Sequence, residues 1–352
     1  MLIDVLIVGQ GLAGSLLAWE FMRQQVKVLV VDNGCENASQ VAAGLINPVT
    51  GQRLVKSSEV DYLLPQALAC YRHLAEQFGQ DFFVPLPMLR ILKNTREQHI
   101  VEQRLGDAAY QPFMQSYDKT VAGIDAPYGL LAQSQTGYLR TRPLLEALRV
   151  FFSAQASYHR ADFSYEELRL LPEGVRWRDW QARQIVFCEG VRAIDNPWFG
   201  GLPFQPAKGE ILAGRAEGVL PDWILNFGHW LLPQQQGQFL SGATFEPGKT
   251  DTQPSEYARM QLLQGLARVC PGLREVEVMK HRVGVRPCTL DKQPFIGPHP
   301  KHRQLSIFNG FGAKGSLAVP WYARRFVAAC KGLEPWPVAG FVQRYDETYF
   351  PA

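Results

Sequence analysis

Apolar residues crowd the start of the chain in two runs, Leu2 to Val8 and Val26 to Val31, with a helix-like interval between them. Runs without alternation suit parallel strands buried on both faces. The first run enters Gly9-Gln10-Gly11-Leu12-Ala13-Gly14, a G-x-G-x-x-G turn. A helix is expected over Ser15 to Gln24, and the second run ends at Asp32. This is a complete βαβ unit with an acid roughly 20 residues beyond the glycines, the pattern of a dinucleotide site. Gly9 permits the tight turn, Gly11 lets a pyrophosphate approach the backbone, and Gly14 lets helix and strand pack closely. The helix N-terminus offers free N–H groups and a positive dipole end to phosphate. Asp32, with Asn33 after it, is placed to meet an adenosine ribose.

Further along, residues 59–79 repeat leucine and alanine at helical spacing, as do 255–270. Residues 82–92 predict a strand region, and 95–116 a polar helix. Arg142-Pro143 opens a helix over about 142–152, with proline at an early position. Val175-Arg176-Trp177 alternates in strand fashion. The short apolar strand Gln184 to Phe187 ends in Cys188-Glu189-Gly190, a tip expected beside a cofactor. A further strand opens at Lys208. Residues 223–246 predict a β-hairpin turning around Gln234–Gly237, and Val276–Arg286 another strand. Near the end, Ser306-Ile307-Phe308 runs into Asn309-Gly310-Phe311-Gly312-Ala313-Lys314-Gly315-Ser316, and a helix follows over about 317–329. This second strand–glycine loop–helix unit aims another helix tip at a ligand.

With 352 residues the chain is long enough for two domains. A net charge of +3 with only short basic clusters gives no nucleic-acid signature. Six scattered cysteines without a C-x-x-C pair fit reduced thiols in a cytosol, and no zinc spacing occurs. His299 and His302 lie in a proline-flanked polar loop with no further ligands nearby, so no metal is expected. No signal peptide or membrane-spanning stretch is seen, and a cytoplasmic location is expected.

Four separated pieces now coincide: the N-terminal βαβ unit; Ala42-Ala43-Gly44-Leu45-Ile46-Asn47-Pro48; Gly284 to Gly297, containing Gly284-Val285-Arg286-Pro287; and Asn309 to Gly315. In this order and spacing the chain resembles the FAD-dependent D-amino-acid oxidase (DAO) family. That family includes glycine oxidase, sarcosine oxidase and the oxidoreductase domain of the bifunctional tRNA wobble-uridine methylaminomethyl enzyme. The resemblance covers essentially the whole chain and is specific for the family, not for a member. It implies an α/β (α+β overall) architecture: a Rossmann-like FAD domain built from 1–80, 132–210 and 284–352, and a mainly antiparallel β substrate domain from 81–131 and 211–283.

The resemblance also implies residue roles. FAD lies extended, its AMP half at the first βαβ unit. The 42–47 loop, with Ala42, Ala43, Gly44, Leu45 and Asn47, runs along the flavin. Cys188, Glu189 and Gly190 sit on the adenosine side. Gly310 and Gly312 to Ser316 face the flavin's pyrimidine edge, where the helix dipole and Lys314 stabilise negative charge on the reduced ring. Arg286, counted among the cofactor-binding residues as well, grips a substrate carboxylate with two parallel hydrogen bonds; the alternative is a structural pair with an acid such as Asp291. Trp230 stands about where glycine oxidase has a substrate-binding tyrosine, which puts glycine itself in doubt. His229 and Phe311 complete the expected substrate wall, although a structural role for His229 stays equally open. Cys288 lies too close to Asp291 to match the covalent flavin cysteine of monomeric sarcosine oxidase, so noncovalent FAD is expected.

The implied reaction is oxidation of the C–N bond of an amine or amino acid to an imine by hydride transfer to flavin N5, with no dedicated catalytic base. The implied partner is therefore a small molecule, without metal. Two other classes stay open: a tRNA-modifying oxidoreductase and a non-enzymatic flavoprotein.

Overall fold

The computed structural model describes residues 2–57, 59–117 and 120–350. Its first sheet holds the strands Tyr158–Arg160, Val28–Asp32, Leu2–Val8 and Trp180–Phe187 side by side and parallel. Leu305–Asn309 joins parallel to the far half of Trp180–Phe187, and the remaining strands attach antiparallel. The apolar runs at the N-terminus become central strands because both their faces are covered. Val5, Ile7, Val28 and Val30 enter one core, and Leu6, Val8, Leu29 and Val31 enter the other. The helices Leu12–Arg23 and Gly315–Cys330 pack together on the first of these faces, where Phe21 meets Phe326 edge-on with ring centroids 6.1 Å apart.

A nine-stranded sheet forms the second layer. It runs from Glu246–Pro247 through Ala207–Arg215, Gln238–Gly242, Trp230–Pro233, Ile224–Asn226, Met88–Ile91 and Leu130–Gln133 to Met114–Tyr117. Glu277–Arg286 pairs antiparallel along Ala207–Arg215. The expected hairpin is present: Trp230–Pro233 pairs with Gln238–Gly242 around 234–237.

Three details differ from the sequence reading. The helix expected over 95–116 stops at Leu105, and Met114–Tyr117 is a strand of the large sheet. The first helix begins at Leu12, inside the glycine turn itself. The domain boundaries at 131/132, 210/211 and 283/284 each cut a continuous strand of the large sheet. Strands pair across long sequence separations, so no local composition shift marks where one sheet yields to the other.

Candidate active site

Both glycine loops end at one cavity of about 400 Å³. On one side it is lined by Gly9, Gly11, Leu12 and Ala13 with Asp32 and Asn33. On the other side stand Phe311, Gly312, Ala313, Gly315 and Ser316. The two loops nearly touch: a Cβ on Gly315 would lie 3.6 Å from Leu12 Cδ2. Gly14 faces away from the cavity. Its missing Cβ would collide with the Gly9 carbonyl oxygen, so this glycine serves close packing, as its type suggested.

The first loop is drawn tight by its neighbours. Asp32 accepts the Gln10 N–H at 2.8 Å on one carboxylate oxygen and the Gly34 N–H at 2.7 Å on the other. Each oxygen keeps a lone pair for a ribose hydroxyl. Ser39 Oγ accepts the Leu12 N–H at 3.0 Å, leaving Ala13 and Gly14 as first-turn N–H groups without an intrahelical acceptor. Ser39 is held by the short helix Ala38–Val41, where Asn37 accepts the Ser39 and Gln40 N–H groups. Ser39 is a cavity residue beyond those expected from the sequence, although it opens the small-residue stretch that leads to Gly44.

Beside this loop lies the strand tip Cys188-Glu189-Gly190, all three lining the cavity. The Glu189 side chain is occupied elsewhere. It accepts Tyr165 O–H at 2.7 Å and Asn196 Nδ2–H at 2.9 Å, while burial pushes its carboxyl above the usual range. Gly190 has φ +60° and nothing within 4 Å of where a Cβ would sit. Its carbonyl accepts Asn309 Nδ2–H at 2.9 Å, which ties the strand tip to the second glycine loop. Asn309 also lines the cavity, an assignment absent from the sequence reading.

Ala42, Ala43, Gly44 and Leu45 line the cavity as expected. Asn47 does not. It is turned to Gln133 and Met88 and accepts the Val49 N–H at 3.0 Å, so it shapes the loop from behind. Lys314 also points elsewhere, donating to Ser57 Oγ at 3.1 Å, and Gly310 is outside the lining. Any charge stabilisation at this end therefore falls to the loop backbone and the helix tip. Cys288 lies outside the lining too, with its thiol raised by burial.

The large sheet supplies Arg286, Trp230, Ile211 and Gly209 to the remaining wall, and the adjoining loops supply Ala243 and Thr252. Arg286 has no carboxylate partner among the described residues. Asp291, its suspected structural partner, instead takes Arg344 Nε–H at 2.7 Å and Tyr345 O–H at 2.9 Å. Arg286 Nη1–H donates to the Thr244 carbonyl at 3.3 Å, and its Cζ lies 5.8 Å from the Phe245 ring centroid. Burial pulls its pKa below the ordinary arginine value, yet a guanidinium stays charged at neutral pH. His229 does not reach the cavity. Its ring lies edge-on to Phe227, its Nδ1 is 3.3 Å from the Ala243 oxygen, and burial lowers its pKa. The structural alternative is the one this histidine takes.

Behind the wall, Lys208 and Glu210 point to the opposite face of the sheet and are buried. Lys208 Nζ donates to Asp251 and the Gln253 carbonyl, both at 2.6 Å. Glu210 accepts from the Ser255 N–H and O–H at 2.9 Å. These bonds hold the 251–253 segment so that Thr252 lines the cavity.

Residues 4–329 match the family described as "DAO: FAD dependent oxidoreductase". The chain belongs to this family. Glycine oxidase from Pseudomonas aeruginosa is 30% identical over 358 residues, covering 94% of this chain and 95% of that protein. Glycine oxidase from Pseudomonas putida is 31% identical over 166 residues, a match spanning 46% of that protein. The tRNA 5-methylaminomethyl-2-thiouridine biosynthesis bifunctional protein MnmC from Marinobacter nauticus is 23% identical over 91% of this chain, which spans 54% of that longer protein. Among solved structures, glycine oxidase from Geobacillus kaustophilus shares the fold at a TM-score of 0.85, with 23% identity and coverage of 98% and 99% of the two chains. The protein is thus an FAD-dependent oxidoreductase, and the cavity has the features FAD needs. It has one helix tip beside Asp32 suited to the phosphates, a second helix tip at the other glycine loop, an acid with lone pairs to spare and an open position at Gly190. Among the described residues, no helix is long and apolar enough to cross a membrane, and no cluster of three or more metal-ligating side chains occurs.

Proposed function

We propose that this protein oxidises the C–N bond of a small amine or amino acid that carries a carboxylate. The observation that carries the reading is Arg286: a half-buried guanidinium in the cavity wall with no acidic partner among the described residues. Leaving a charge uncompensated in a largely apolar wall is costly unless a ligand supplies the opposite charge. When bound, FAD supplies the two-electron acceptor that turns C–N into C=N. The chain's own residues bind and orient. Arg286 fixes the carboxylate, Trp230 and Phe311 form flat apolar walls, and Ile211 and Ala243 keep water from the reacting carbon. Among the described residues the large-sheet side of the lining holds no Asp, Glu or His, which is consistent with an amine that binds in the neutral form. FAD is held noncovalently and the location is cytoplasmic in this reading.

The test is a product assay over a panel of amines and amino acids. Carboxylated substrates should release an oxo acid together with ammonia or a primary amine. Turnover confined to amines lacking a carboxylate would sink the proposal. The similarity to the bifunctional tRNA protein over 91% of this chain favours a second reading, a tRNA-modifying oxidoreductase. Salt-sensitive retardation of bulk tRNA in a gel-shift would support it.

A further inference from the structure

Two glycines on neighbouring strands lie beneath the two side chains that give the cavity its recognition chemistry. Gly209 is inside the strand Ala207–Arg215, and a Cβ built on it would fall 2.6 Å from Arg286 Cζ. The guanidinium therefore lies flat on bare backbone. Gly242 ends the strand Gln238–Gly242, directly opposite Trp230. A Cβ there would meet Ile211 Cγ1 at 2.9 Å and Trp230 Cζ2 at 3.0 Å. Both glycines are buried, and neither has the positive φ that would explain glycine by turn geometry. Glycine within a strand weakens it, so its presence marks close approach of another group.

The pairing places Gly242 opposite Ile211, two residues from Gly209. On that diagonal the two glycines are about 7–8 Å apart. Arg286 and Trp230 thus lie side by side on one floor. Among the described residues, the Arg286 guanidinium has one protein acceptor, the Thr244 carbonyl, and the Trp230 indole N–H has none. The other charged lining residues, Asp32, Glu36, Glu189 and Arg192, belong to segments beside the first glycine loop.

We infer that Gly209 and Gly242 are the positioning residues that set substrate specificity. They let Arg286 and Trp230 lie flat, which leaves above them a slot for a small amino acid bearing a single carboxylate. That carboxylate takes the free guanidinium donors and the indole N–H. The inference rests on the reading of Arg286 as the carboxylate anchor.

The test uses the FAD-loaded full chain. Acetate is titrated against the flavin absorption spectrum at constant ionic strength, with FAD content and melting temperature measured alongside. Gly209→Ala should weaken acetate binding about tenfold or more while FAD content is kept. In an Arg286→Ala background the same substitution should add nothing, because the glycine acts through the arginine. Wild-type affinity in Gly209→Ala, or an equal loss in both backgrounds, overturns the role of the glycine. Undiminished affinity in Arg286→Ala, or no acetate binding by the wild type, overturns the anchor reading and the inference with it. Should Gly209→Ala not fold, Gly242→Ala decides. It should weaken acetate binding at least as much as Trp230→Phe, which removes the N–H together with the indole's second ring, and unchanged affinity overturns the inference.

Discussion

Arg286 is placed for recognition by what surrounds it. Its possible structural partner is engaged by Arg344 and Tyr345, and among the described residues its one hydrogen-bond acceptor is a carbonyl. Arg286→Ala should raise KM for carboxylated substrates about 10- to 100-fold, the worth of one charge-assisted contact, with FAD content unchanged. Arg286→Lys should fall between, since it keeps the charge and loses the planar fork. Steady-state kinetics on both variants checks this. The arginine was legible in the sequence because it sits in a short motif. Its freedom from Asp291 was not, because the residues that occupy that acid come from the distant C-terminal segment. Gly209 carried a weaker signal, an isolated glycine in a predicted strand, and only the fold says which side chain lies on it.

At the level of elements, the cofactor end depends on two strand–loop–helix units meeting tip to tip. Asp32 locks the first of them through its two backbone contacts. Asp32→Ala should weaken FAD binding about tenfold or more, since it leaves two N–H groups without their acceptor and removes the carboxylate we assign to the ribose. Measuring FAD release together with the melting temperature checks this, and both should fall. These units were readable because glycine spacing, apolar runs and the helix that follows are all local. The strand Met114–Tyr117 was not, since its few residues pair only with distant Leu130–Gln133. Lys314 and Asn47 were misjudged for a related reason. A loop's backbone path follows from its glycines, but which way a long polar side chain turns depends on partners such as Ser57 and Gln133.

Across the whole molecule, one buried group outside the cavity lining links stability to pH. His299 is fully buried between Phe199 and Phe350, and its Nδ1 accepts the N–H groups of Lys301 and His302 at 3.2 Å. Burial, with the nearby charges of His302 and Lys301, pushes its pKa down to about 4. The folded state thus prefers the neutral ring. The stabilisation is fully present above the ordinary histidine value of about 6.5 and is lost as pH falls from there toward about 4. Melting temperature should drop across that window in the wild type. His299→Asn keeps an acceptor near the Nδ1 position and should flatten the drop; an unchanged slope would remove His299 as its source.

The two sheets meet around one cavity, with the glycine loops on one side and, on the other, the floor of the large sheet to which we assign substrate recognition. The proposed function therefore turns on whether carboxylated amines deliver electrons to this flavin. The most direct measurement is anaerobic bleaching of the flavin spectrum by matched pairs of amino acids and their decarboxylated amines. The expected result is bleaching by the amino acid of a pair and little by its amine, with the difference lost in Arg286→Ala. Equal bleaching by both members, or bleaching by neither across the panel, would contradict it.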